Sequence, residues 1–95
     1  MLSKKTKQLI KLTQYMEEMD KWYKEKKISL KEMDVLRVIH FHYCNEIYLG
    51  YSLFKYFKED ITERYKEIKG KPSRIFRREM EKFSKVLPLK GIYNK

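Results

Sequence analysis

From Leu9 to Leu87 the apolar residues return at intervals of three and four, and few glycines or prolines interrupt them. Leu9, Leu12, Met16, Met19 and Tyr23 open the series, with Ile10, Tyr15 and Trp22 beside them. Met33, Leu36, Ile39, His40 and Tyr43 form a second stripe, widened by Val35 and Val38. Leu53, Phe54 and Phe57 are continued by Ile61, Tyr65 and Ile68, and Phe76, Met80, Phe83 and Leu87 make the last stripe. A period near 3.6 gathers such residues on one face of a helix, whereas a half-buried strand needs strict alternation. The chain is therefore expected to be mainly α. Its 95 residues suit one small unit, and 42% hydrophobic content is enough for a core and argues against wholesale disorder. A chain this short buries a modest share of its surface and often leans on a partner subunit.

Local signals set the expected boundaries. The first helix spans about Ser3 to Lys26, and its broad stripe serves either as core or as a seam with the same helix of a second subunit. The seam residues would be Leu9, Leu12, Met16, Met19, Trp22 and Tyr23. Ser29 followed by Glu32 matches a capping box, with Ile28 placed to staple onto Met33, and Asn45 is the expected stop of that second helix. Ile47-Tyr48-Leu49 reads as a brief extended segment. Gly50 turns the chain into a third helix, which either runs on to about Lys69 or splits near Glu59, where Asp60 and Glu63 repeat the capping pattern. Gly70 and Pro72 end it in both cases. Ser73 caps a fourth helix over 73–86, Pro88 closes it, and Leu89 to Tyr93 reads as a short terminal strand. On this reading residues 1–27 form an N-terminal helix and 28–95 the remaining domain.

The charge is unevenly distributed. The formal total is +10. Eight lysines against four acids give +4 over residues 1–27, four bases against five acids give −1 over 28–60, and eleven bases against four acids give +7 over 61–95. Four of the five arginines, Arg64, Arg74, Arg77 and Arg78, lie in the last third. A one-sided basic distribution is the electrostatic footprint of a protein that meets a polyanion, and the planar guanidinium suits phosphates and guanine edges. At 100° per residue, Arg74, Arg77, Arg78, Glu81 and Lys85 fall opposite the apolar face of the fourth helix. Lys69, Lys71, Lys82 and Lys90 flank that front and are placed to neutralise phosphates, and Glu81 is suited to accept a hydrogen bond from cytosine.

Other chemistries find less support. His40, His42 and Cys44 form an H-x-H-x-C string, but on a helix His40 and Cys44 share a face that His42 does not, and a four-ligand zinc site lacks a second cysteine. No glycine-rich phosphate loop or nucleophile motif occurs, so neither an enzyme nor a cofactor is expected. The aromatics from Tyr43 to Tyr65 have the spacing of core packing more than of a base-stacking platform. The lone Cys44 precludes an internal disulfide and fits a reducing compartment. No apolar run reaches the roughly 20 residues needed to span a bilayer, and a cytoplasmic, non-membrane protein is expected.

The order of these segments resembles winged helix-turn-helix regulators of the MarR/SarA type. Ile28-Ser-Leu-Lys-Glu-Met-Asp-Val-Leu-Arg-Val-Ile39 resembles the helix that follows the dimerisation helix of that family. Ile47-Tyr-Leu-Gly-Tyr-Ser-Leu-Phe-Lys-Tyr-Phe57 is similar to its short strand and the first helix of the helix-turn-helix. Lys71-Pro-Ser-Arg-Ile-Phe-Arg-Arg-Glu-Met-Glu-Lys-Phe83 resembles the recognition helix, and Leu89 to Tyr93 the strand entering the wing. The resemblance implies a dimeric double-stranded-DNA-binding regulator with a winged-helix-like domain. The stretch from Lys58 to Lys71 is longer than the family's tight turn, so 61–69 competes with 73–86 for the recognition role. Two readings from other classes stand beside it. One is a small helical interaction module or inhibitor from a mobile element that docks on an acidic host protein, and the other is an RNA-binding protein using the same charges.

Overall fold

The computed structural model describes residues 2–93, and within them every regular element is a helix. These are α1 (Lys4–Lys24), α2 (Leu30–Leu49), α3 (Phe54–Lys66), α4 (Arg74–Ser84) and a single turn, α5 (Lys90–Tyr93). Ser3, Ser29 and Ser73 cap α1, α2 and α4, each side chain accepting a backbone N–H three residues on. The capping box at Ser29 and Glu32 is formed in both directions.

Three segments differ from the sequence expectation. Asn45 does not stop α2, which continues through Ile47-Tyr48-Leu49 until Gly50 takes the left-handed conformation at φ 81°. Three apolar residues are too few to favour a strand over one more turn of an established helix. The terminal strand expected at Leu89 to Tyr93 is α5; Leu89 and Ile92 are both buried, and their three-residue spacing suits a helical turn. No strand occurs among the described residues, so the segments likened to a winged-helix strand and wing are helical there. The third helix is unbroken at Glu59 and ends at Lys66, short of Lys69. Asp60 does not cap a new helix because its carboxylate accepts from Arg64 Nε one turn on, at 2.9 Å. Residues 61–66 are thus the second half of α3, and no separate 61–69 helix exists.

α2 is the central element and packs against α1, α3 and α4. Val35, Leu36 and Ile39 of α2 meet Met19 and Trp22 of α1, Phe54, Phe57 and Ile61 of α3, and Phe76, Met80 and Phe83 of α4 in one core. Leu87, Leu89 and Ile92 close one side of it. The same core runs across the expected 27/28 boundary, with α1 contributing its C-terminal half. Its N-terminal half lies outside, and Leu9 is 64% exposed.

Candidate nucleic-acid interface

α4 is held by its apolar back and by one buried acid. Phe76, Met80 and Phe83 are buried, and Phe76 stacks on Tyr65 of α3 with ring centres 6.2 Å apart. Glu79, only 2% exposed, accepts from the Tyr15 hydroxyl at 2.9 Å, from Arg78 Nε at 3.2 Å and from Lys82 Nζ at 3.4 Å. Burial of a carboxylate is costly unless it is paired and hydrogen-bonded, and these three donors supply both. The Arg78 guanidinium also lies 5.6 Å from the Trp22 ring centre, a cation–π distance. Arg78 and Lys82, with side chains 56% and 65% exposed, thus each direct one donor to the chain's own buried acid.

The rest of that front is open. Arg74, Arg77, Glu81 and Lys85 are exposed. Among the described residues the Arg74 and Arg77 side chains make no hydrogen bond or ion pair. Lys69 and Lys71, in the connection before α4, and Lys90 on α5 are exposed as well. Arg64 belongs to a different structure: its Nη1 donates to both oxygens of Asp34 at 2.9 and 2.8 Å while its Nε meets Asp60, joining α3 to α2. Those bonds raise its pKa further above the ordinary arginine value.

A second basic segment faces Lys69 and Lys71, one that sequence spacing does not reveal. The turn between α1 and α2 brings Lys24, Lys26 and Lys27 to the rim of a cleft of about 540 Å³, with Lys69 and Lys71 on its far side. The cleft floor is Glu32, which is 4% exposed. One Glu32 oxygen accepts the Ser29 N–H at 2.8 Å and the other accepts the Ser73 N–H at 2.7 Å, so one carboxylate ties the starts of α2 and α4 together. The α1 end is a Schellman motif: Lys26 N–H donates to Tyr23 O and Lys27 N–H to Trp22 O, at 3.0 and 2.8 Å. Lys26 occupies the left-handed position, φ 60°, where glycine is the favoured residue and a side chain costs about 1 kcal/mol. It is the one non-glycine residue with positive φ among those described.

The residues proposed for a dimer seam divide between two environments. Met19 and Trp22 are buried in the chain's own core, where a second subunit has no access to them. Leu12 and Met16 are half-buried, and Leu9 and Tyr23 are exposed. Leu9 and Leu12 line a groove of about 380 Å³ with Phe41 and Tyr48 of α2.

The H-x-H-x-C string separates as its helical spacing requires. His40 stacks on Tyr15 with ring centres 4.2 Å apart and has Cys44 Sγ 3.9 Å from its Nδ1, while His42 stacks on Phe57. Burial pushes His40 down to about 4, against the opposing pull of Glu79, and pushes the Cys44 thiol up. No group of three His, Cys, Asp or Glu side chains able to hold a metal ion is found among the described residues. No described helix is long and apolar enough to cross a membrane. No family model matches the chain, and neither a curated protein nor a solved structure is significantly similar to it.

Proposed function

We propose that the chain is a small nucleic-acid-binding protein, with double-stranded DNA as its target and transcription or replication as the process it regulates. The observation that carries this reading is the pair Arg74 and Arg77, exposed and unpaired among the described residues, on a helix whose back is buried. A helix secured in this way is able to present guanidinium groups to a groove and its phosphates. In this reading α3 and α4 serve as a helix-turn-helix pair without a wing, and Lys69, Lys71, Lys85 and Lys90 flank the contact. The partner subunit in a homodimer would pack on the exposed half of α1 through Leu9 and Leu12, setting two copies of α4 about 34 Å apart.

The test is a mobility-shift titration of a DNA duplex across a salt series. The double variant Arg74→Ala/Arg77→Ala is expected to bind at least about tenfold more weakly, with the log–log salt slope reduced by about 2. Unchanged affinity and slope would refute the reading. An RNA duplex titrated in parallel separates the two nucleic acids, since the same cations serve both.

The groove between α1 and α2 favours a second reading, a protein-interaction module. Phe41 and Tyr48 are each 52% exposed on its wall, and Lys5 stands over the Tyr48 ring at 4.5 Å. An apolar groove rimmed by lysine suits an acidic amphipathic helix of a host protein. Pull-downs with and without nuclease distinguish the readings: recovery of one partner that survives nuclease and is lost in Leu9→Asp supports this one.

A further inference from the structure

The cleft between the α1–α2 turn and the α3–α4 connection has the composition of an anion seat. Five lysines line it against a single carboxylate, Glu32, whose two oxygens are already occupied by the Ser29 and Ser73 amides. Lys27 has a partner in Glu25 at 3.1 Å, whereas Lys24, Lys26, Lys69 and Lys71 make no ion pair among the described residues. Like charges gathered around a concave surface repel one another and raise the local concentration of anions. Glu32 already takes up the Ser29 and Ser73 N–H groups, which leaves the lysine ammonium groups to meet an anion in the cleft.

Lys26 adds an independent observation. Its left-handed backbone would suit glycine, and what lysine adds there is a charged side chain at the cleft rim. The chain accepts that backbone cost at a position where it places an ammonium beside the cleft. We infer that this cleft seats a phosphate group, from a nucleic-acid strand or from a free oligophosphate, through Lys24, Lys26, Lys69 and Lys71. The nucleic-acid source rests on the reading above, and the oligophosphate source does not. In the first case the cleft grips the backbone beside the groove contacted by Arg74 and Arg77, adding phosphate contacts without sequence information.

The experiment titrates the full chain with inorganic tripolyphosphate, followed by amide resonances in NMR, and with a DNA duplex across a salt series. Tripolyphosphate is expected to shift residues 26–29 and 69–73, and Lys24→Gln/Lys26→Gln to abolish those shifts. Shifts spread equally over Lys4, Lys5, Lys7 and Lys11, or none at millimolar concentration, would overturn the inference. In the duplex series the same variant is expected to reduce the salt slope by about 2. If the duplex binds with an unchanged slope while Arg74→Ala/Arg77→Ala weakens it, the nucleic-acid source is overturned and the function reading stands. If tripolyphosphate seats and no duplex binds, the cleft stands as an oligophosphate site and the function reading falls. Lys26→Gly is expected to keep or raise the melting temperature while weakening tripolyphosphate binding severalfold. Undiminished binding in that variant would remove Lys26 from the site.

Discussion

The Tyr15 hydroxyl donates to Glu79 Oε1 at 2.9 Å, joining α1 to α4 across 64 positions of sequence. Burial first, and then the Glu79 charge, hold the Tyr15 hydroxyl far above its ordinary pKa, so it remains a donor throughout the usable pH range. Tyr15→Phe removes the bond and leaves the ring stacked on His40. A loss of about 1–3 kcal/mol is expected in urea unfolding, because Arg78 and Lys82 both donate to Oε2 and the buried Oε1 loses its donor. Glu79→Ala is expected to cost more and to free Arg78 and Lys82 for solvent, which should strengthen polyanion binding in a well-folded fraction.

His40 gives the fold a pH dependence of definite sign. Its folded pKa lies near 4, below the ordinary 6.5, so between these values the unfolded chain binds more protons. Stability is complete above pH 6.5 and is lost as pH falls toward 4. The contribution is about 1–2 kcal/mol once partial solvent access is allowed for. The check is the difference between wild type and His40→Phe, which retains the stack on Tyr15. Wild type should lose the larger amount between pH 6.5 and 4.5, and parallel curves would contradict the assignment.

The two ends of α1 should respond differently to truncation. Met19 is fully buried, and Met19→Ala is expected to cost about 2–5 kcal/mol. Leu9→Ala should change the stability of the isolated chain by less than about 0.5 kcal/mol. If the exposed half of α1 is a dimer seam, wild type will show a melting temperature that rises with protein concentration and Leu9→Ala will not. Circular dichroism melts over a hundredfold concentration range provide the comparison.

Glu32→Ala is expected to destabilise the chain by about 2–4 kcal/mol, since it leaves the Ser29 and Ser73 amides without their acceptor beside a buried site. Glu32→Gln retains one carbonyl acceptor and should lose less. Denaturant titration of both variants tests the order; equal losses would show that only one of the two amides matters.

Much of the helical plan was legible because its signals are local. Serine at positions 3, 29 and 73, the reciprocal Glu32 bond and the apolar back of α4 all act within one or two turns. The strands expected at Ile47–Leu49 and Leu89–Tyr93 failed for a local reason too: short apolar runs do not identify their own conformation, and a neighbouring helix or core decides it. The candidate site was only partly legible. Spacing placed Arg74 and Arg77 outward, but burial of Glu79, which occupies Arg78 and Lys82, depends on Tyr15 arriving from α1. Nor does spacing bring Lys24, Lys26 and Lys27 opposite Lys69 and Lys71, since that apposition follows from how α1 and α4 lie on α2. The choice of Met19 over Leu9 for the interior is likewise made by the position of α2 along α1.

The double grip of Glu32 has a mechanical consequence. Two turns that are 44 residues apart at Ser29 and Ser73 share one carboxylate, so neither can swing away without taking a donor from a Glu32 oxygen that is almost out of solvent. The banks of the lysine channel are thereby tethered to each other before anything enters it.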